Sequence, residues 1–312
     1  MPRIATISPV WGCSVPDLRA LAREAESGGF EAIFSPEVPP YNGLSNAQVF
    51  AEATTKIKVG TWITNVYLRD AVIAAATAMT IQEISGGRMV LGLGVSHKPV
   101  NDKFGINMGD PVGKMRAYVK AVKSFMDGTA PQLTLKRELP KVPVYIAGLT
   151  KGAARLAGEA ADGIMPYMST PEYIKALAGY VAEGAKSAGR DPSEIDITLG
   201  IPSVVSDDLE LARKAGKRGL SGYLRFPFYQ RLMRNNGFGD AIDKIQGGTD
   251  PAEVFTDEML DSVALVGPAE RCRERLEVYR KAGVALPIIV PNAAGKQSNV
   301  EVMKITVAAY KG

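Results

Sequence analysis

Short β-like runs alternate with helical stretches along the whole chain, and this rhythm constrains the fold more than any single motif. Strand candidates lie at residues 4–8, 32–35, 58–63, 89–94, 144–147, 163–165, 197–205 and 286–290. Strands separated by helices pair in parallel, because only a crossover connection returns the chain to the same end of a sheet. The first helix candidate, 16–27, opens with Pro16 and stops at Gly28-Gly29, the usual start and stop chemistry. Helices at 48–53, 70–84, 113–126, 151–160, 171–188 and 209–218 follow their strands, and 268–282 and 299–309 flank the last one. Eight such units in 312 residues, without a composition break that would mark a linker, predict one α/β domain over residues 1–312. Its expected form is a (β/α)8 TIM barrel with an insertion, 219–267, between units seven and eight. A doubly wound dinucleotide fold competes through Gly92-Leu93-Gly94-Val95-Ser96-His97. It fails because His97 stands where that fingerprint needs its third glycine, and because the run falls in the fourth unit, not the first.

Composition then narrows function. With 46% hydrophobic residues, a chain of this length buries roughly 75% of its unfolded surface and needs no disulfide or structural metal. Cys13 and Cys272 are the two cysteines, too far apart in sequence for a redox or zinc pair and sparse enough to suggest a reducing compartment. The N-terminus lacks a signal-peptide core and no stretch approaches the roughly 20 apolar residues of a membrane helix, so a cytoplasmic protein is expected. A net charge of +4, from 37 basic and 33 acidic residues, argues against nucleic acid as a partner and leaves a small-molecule substrate. His97 is the single histidine, which removes two-histidine zinc sites, HExxH helices and haem held by paired histidines; no metal site is expected.

The run Val59-Gly60-Thr61-Trp62-Ile63-Thr64-Asn65-Val66-Tyr67-Leu68-Arg69, the alanine-rich helix after it and the segment 83–94 together resemble the bacterial luciferase-like superfamily. The resemblance is to the branch that uses the deazaflavin coenzyme F420, through Thr64-Asn65 after the third strand, Ser85-Gly86-Gly87-Arg88 before the fourth and Gly92 to Lys98 at that strand's end. Residues 21–30, 143–148 and 157–163 extend it over nearly the whole chain. It implies a barrel that binds F420 at the C-terminal face of its strands and exchanges a hydride with a small organic substrate. An FMN-dependent monooxygenase on the same fold and a non-catalytic flavin- or deazaflavin-binding barrel are the alternatives. A homodimer is implied as well, with the alanine-rich helix 71–79 against a partner or simply buried on the barrel.

The same resemblance implies a non-prolyl cis peptide at Trp62-Ile63, forming a bulge behind the coenzyme ring, with Thr64 and Asn65 at the ring's pyrimidine edge. Gly94, Val95 and Ser96 are expected beside it. Gly148-Leu149-Thr150-Lys151-Gly152 ends a strand and opens a helix, where free N–H groups and the helix dipole favour an anion, and Lys151 and Arg155 add charge. It is read as the seat of the coenzyme phosphate, the plain alternative being a strand-to-helix turn. His97 follows the fourth strand, where some relatives place a glutamate that exchanges a proton with substrate; an imidazole can do that work near neutral pH. Val38 stands where alcohol-oxidising relatives carry a catalytic histidine, which puts that mechanism in doubt. Glu37 remains as a candidate catalytic loop acid, or as a carboxylate anchoring backbone amides. Cys13 reads as a structural thiol, and Trp11, Tyr41 and Tyr67 as ring-stacking walls or core.

From Arg213 to Gly239 there are seven basic residues and no acid, interleaved with Tyr223, Phe226, Phe228, Tyr229 and Phe238. Three readings compete: a lid over the substrate, a contact for the acidic tail of the deazaflavin, or a solvated surface with a few core aromatics.

Overall fold

The computed structural model describes residues 2–132 and 137–311. Eight strands line up in chain order: β1 (Ala5–Ile7), β2 (Ala32–Ser35), β3 (Lys58–Thr61), β4 (Met89–Gly94), β5 (Val144–Ile146), β6 (Gly163–Ile164), β7 (Asp196–Val205) and β8 (Leu286–Pro291). Neighbours pair in parallel, and the sheet closes because Ile288 of β8 lies opposite Gly200 of β7 on one side and Ala5 of β1 on the other. The expected (β/α)8 barrel is therefore the fold. Two short pieces ride on it: Thr64–Asn65 pairs with the end of β4, and Leu265–Gly267 with the end of β7.

Local chemistry starts the helices where the strands stop. Ser14 and Asp17 form a capping box at helix Val15–Ser27, and Asp70, Asp110, Thr150 and Thr170 cap the helices that follow β3, β4, β5 and β6. Arg88 of the Ser-Gly-Gly-Arg run has a structural role. Its guanidinium donates to the carbonyls of Ala51, Thr54, Ile57 and Ser85, tying the end of helix Gly43–Ala53 to the start of β4.

Apolar side chains collect in three places. The largest body lies between sheet and helices, from Leu21 through Leu91 and Ile146 to Met303. A second fills the barrel, with Phe34, Tyr145, Met165 and Ile288 beneath Trp62 and Ile63. The third gathers Leu224, Tyr229, Met233, Met259 and Leu260 from the segment between β7 and β8 together with Met168 beyond β6. Here one expectation is corrected. Helix Leu209–Leu220 buries Ala212, Ala215 and Leu220 in this third body, whereas Ala269–Lys281 sends Cys272, Leu276 and Tyr279 into the barrel wall. The seventh wall helix is thus the later one. β7 runs for 10 residues, the longest of the strands, so the chain leaving it starts beyond the rim.

At the opposite end, Arg3 donates to both oxygens of Glu31 and of Asp196, Lys58 reaches Glu31 at 3.0 Å, and the Tyr145 hydroxyl donates to Asp196. Burial pushes the two carboxyls up, but the hydrogen bonds from Arg3, Tyr145 and Lys58 outweigh it and hold both below their ordinary values. No described helix is long and apolar enough to cross a membrane, and no group of metal-ligating side chains gathers among the described residues.

Candidate active site

The C-terminal rim is built around the end of β3. The Trp62–Ile63 peptide is cis. Ile63 lies on Gly94, where a Cβ would fall 2.3 Å from its side chain, so only glycine lets β4 pass beneath. The Trp62 indole covers Gly200 of β7 in the same way and meets Tyr167 edge-on, ring centroids 5.2 Å apart. Trp62 Nε1 and Thr64 Oγ1 are buried without a hydrogen-bond partner. Around them Ile63, Val95, Ser96, Ala147, Gly148 and Leu149 are half-buried, while the strand residues below are closed to solvent.

Asn65 is used differently from Thr64. Its Nδ2 donates to Asn101 Oδ1 at 2.9 Å, its Oδ1 accepts from the Tyr67 N–H at 3.1 Å, and Asn101 Nδ2 donates to the Val95 carbonyl at 2.8 Å. Asn101 is wholly buried, so this chain latches the loop after β4 to the end of β3. Glu37 joins the same assembly. One oxygen accepts from the Asn65 N–H at 3.3 Å and the other from Arg69 at 3.0 Å, with the Glu37 side chain only 5% exposed.

His97 stands in the loop so latched. Ser96 before it has φ +58°, a left-handed conformation uncommon for serine that turns the chain away from β4. The imidazole lies flat on Phe226, centroids 4.6 Å apart and planes within 12°, and Tyr223 meets it edge-on at 6.5 Å. Tyr223 in turn packs on Tyr167, completing an aromatic path back to Trp62. The imidazole nitrogens have no hydrogen-bond partner among the described residues, and helix Lys98–Asp102 begins at His97 without using its side chain as a cap. The residue as a whole is exposed, yet the side of the imidazole covered by Phe226 and Tyr223 is desolvated, which lowers the His97 pKa below its ordinary 6.5.

At the end of β5, Thr150 caps helix Lys151–Ala160 through the Ala153 N–H at 3.3 Å, and Leu149 gives its carbonyl to the Tyr173 hydroxyl. The N–H groups of Lys151 and Gly152 open the helix. The two cations of the expected anion seat are engaged elsewhere: Lys151 Nζ lies 4.8 Å from the Tyr180 ring centre, and Arg155 pairs with Glu183 at 2.6 Å. A residue four positions into a helix lies a full turn below its N-terminus, which is why Arg155 meets the neighbouring helix and not the rim. Cys13 accepts from Asn299 at 3.1 Å, and burial raises its pKa, as suits a structural thiol. Trp11 and Tyr41 pack edge-on against each other, while the Tyr67 hydroxyl donates to the Met108 carbonyl at 2.5 Å.

No local pattern assigned these roles to Asn101, Arg69 or Tyr167: Asn101 reaches Asn65 across 36 residues, Arg69 reaches Glu37 across 32, and Tyr167 packs on Tyr223 of the covering segment.

The barrel with this rim is that of a known family. The luciferase-like monooxygenase family matches residues 7–286, and the chain belongs to it. Among curated relatives it is 28% identical to the 5,10-methylenetetrahydromethanopterin reductase of Methanolobus tindarius, over 84% of this chain and 86% of that protein. Among solved structures it superposes on the coenzyme F420-dependent tetrahydromethanopterin reductase of Methanopyrus kandleri with a TM-score of 0.84 and 21% identity, covering 99% of this chain and 98% of that one. An F420-dependent secondary alcohol dehydrogenase, solved with an F420–acetone adduct, gives 0.78 and 19% over the same shares.

Proposed function

We propose that this protein is an F420-dependent oxidoreductase that exchanges a hydride between the deazaflavin and a small organic substrate, acting in the cytoplasm as a homodimer. The observation that carries the reading is the pairing of an unengaged imidazole, His97, with buried polar atoms that lack protein partners, Trp62 Nε1 and Thr64 Oγ1, around one half-buried rim. Those atoms suit a flat, polar-edged ring, and the apolar surfaces of Ile63, Val95 and Leu149 suit its faces. When bound, the deazaflavin supplies the carbon that gives or takes hydride.

The chain's own residues do the rest. Trp62 and Ile63 floor the site, Thr64 offers its hydroxyl, Gly94 to Ser96 form one wall, and the open N–H groups of the Gly148 to Gly152 turn receive a phosphate. Asn65 acts through the latch with Asn101. His97 takes the proton that accompanies hydride transfer when substrate is oxidised, its lowered pKa keeping the imidazole mainly neutral at pH 7, and gives it back from the protonated form in the reverse direction. Glu37, with both oxygens occupied, holds the β3 loop in place and is not read as a proton carrier. The segment 219–267 covers the rim as a lid through Tyr223 and Phe226. Val72, Ile73 and Ile84, exposed on helix Ala71–Ile84, offer an apolar face to a second copy.

The test is a parallel fluorescence titration of the purified protein with F420 and FMN. F420 should bind at least tenfold more tightly, about 1.4 kcal/mol. Tighter binding of FMN overturns the reading in favour of the monooxygenase. Tight F420 binding without turnover on any substrate offered would favour a non-catalytic barrel.

A further inference from the structure

We propose that the outer face of helix Leu209–Leu220 forms a groove for a slender polyanion, a short chain of carboxylates or phosphates, held by Lys214, Arg218 and Lys296. The basic residues between 213 and 239 divide into two groups. Arg213 pairs with Asp257 and Asp261, Lys217 with Asp257, Arg225 with Asp250, and Arg234 with Asp243. Lys214, Arg218 and Arg231 have no carboxylate partner among the described residues, and of these Arg231 stands on a separate helix, Pro227–Asn235, leaving Lys214 and Arg218. They stand four apart on the helix and so share one face.

These two side chains and Lys296, from the loop after β8, line a cavity of about 240 Å3 whose other four lining residues are uncharged. A larger cavity of about 710 Å3 shares Lys214 and Arg218; of its two acids Asp257 is already bound by Arg213 and Lys217, and Glu210 stands one turn before Lys214 on the helix, against four lining cations. Three like charges around so small a space repel one another, and an anion converts that repulsion into charge-assisted hydrogen bonds. The guanidinium fork of Arg218 suits carboxylate and phosphate alike. The groove lies at the rim: Asn292 donates its N–H to the Ser203 carbonyl at 2.8 Å where β7 and β8 part, and Lys296 follows four residues on. No aromatic side chain lines either cavity. The aromatics of this segment turn inward instead, so the stacking platform of a single-strand nucleic-acid site is missing and a small-molecule tail is the better occupant.

The test is fluorescence anisotropy with fluorescein-labelled hexaglutamate, and with labelled hexaglutamine as the uncharged probe. The full chain is compared with K214A/R218A/K296A and with the charge-matched control K281A/K304A/K311A, each checked for folding by thermal melting. Hexaglutamate should bind the wild type in a salt-sensitive way and lose about tenfold to thirtyfold affinity in the groove variant, with the control within about twofold. Equal binding by groove variant and wild type, an equal loss in the control, or no preference for hexaglutamate over hexaglutamine overturns the proposal. Competition identifies the source of the anion. Displacement by the deazaflavin only when it carries its acidic tail assigns the groove to the coenzyme, and displacement by neither form assigns it to an acidic substrate. Displacement by the tail-less form as well would place the peptide in the barrel mouth and overturn the groove. Direct titration of the two deazaflavins reports separately on the coenzyme reading.

Discussion

At the N-terminal end of the barrel, Arg3 satisfies two carboxylates that Lys58 and Tyr145 also reach; at the C-terminal end, Trp62 Nε1, Thr64 Oγ1 and the nitrogens of the His97 imidazole have no hydrogen-bond partner among the described residues. The same contrast runs through the backbone. Ser96 and Met168, the two non-glycine residues with positive φ among those described, both lie in rim loops. A buried polar group left unpaired costs about 1–3 kcal/mol, so such groups persist where something outside the fold completes them. The two ends share one sheet but divide the work between stability and chemistry, as barrels of this class do.

The largest expected effect tests the rim. His97→Gln keeps hydrogen-bonding capacity and removes proton transfer near neutral pH. Turnover should fall about 10²–10⁴-fold with F420 affinity nearly constant. Steady-state kinetics beside a coenzyme titration separates the two; full activity would exclude His97 as the proton carrier, and lost affinity or lost folding would make it structural.

The next effect tests the closed end. Arg3→Ala should cost about 2 kcal/mol in denaturant unfolding at neutral pH, modest because Arg3 is 39% exposed, and leave turnover unchanged. The sign with pH follows from the carboxyls. Glu31 and Asp196 are held below their ordinary 4.5 and 3.8, so their contribution is complete above those values and is lost as the pH falls through the folded ones. The gap between wild type and variant should therefore narrow from about pH 5 to about pH 3. A gap that widens on acidification would sink this account.

Much of this division was legible beforehand, and unevenly. All eight strands lie within or beside their expected ranges because burial on both faces writes each parallel strand as a short apolar run. The sequence reads the helix after β7 as the unit-seven helix because Leu209–Leu220 has the same amphipathic period as a wall helix; which apolar body it joins depends on the length of β7. At the rim, the cis peptide was accessible only through resemblance, since Trp-Ile carries no isomer signal of its own. The Asn65–Asn101 hydrogen bond spans 36 residues, and neither local propensity nor periodicity records a contact of that kind.

That bond supports a third, smaller effect. Asn101→Ala removes the latch without altering the chemistry of any group proposed to touch coenzyme or substrate, and frees the His97 loop to shift. Small misplacements of a reacting group are costly, so turnover should fall about tenfold to a hundredfold, with F420 affinity within about twofold. Unchanged kcat in a folded variant would show that the His97 loop holds its position without Asn101.

The smallest effect concerns the cover over His97. Phe226 lies flat on the imidazole, and desolvation keeps the pKa of that ring below 6.5. Phe226→Ala returns water to one face, so the pKa should rise toward the ordinary value. The direction is independent of the sense of the reaction. If His97 acts as a base it must be neutral, and the acid limb of the kcat profile moves to higher pH; if it acts as an acid it must be protonated, and the alkaline limb moves the same way. The folded-state linkage has the matching sign: wild-type stability from a neutral His97 is complete above 6.5 and declines as the pH falls through the lowered folded value, and the variant should show less of that decline. A pH–rate profile of Phe226→Ala displaced to lower pH, or not displaced at all, would separate the aromatic cover from the chemistry beneath it.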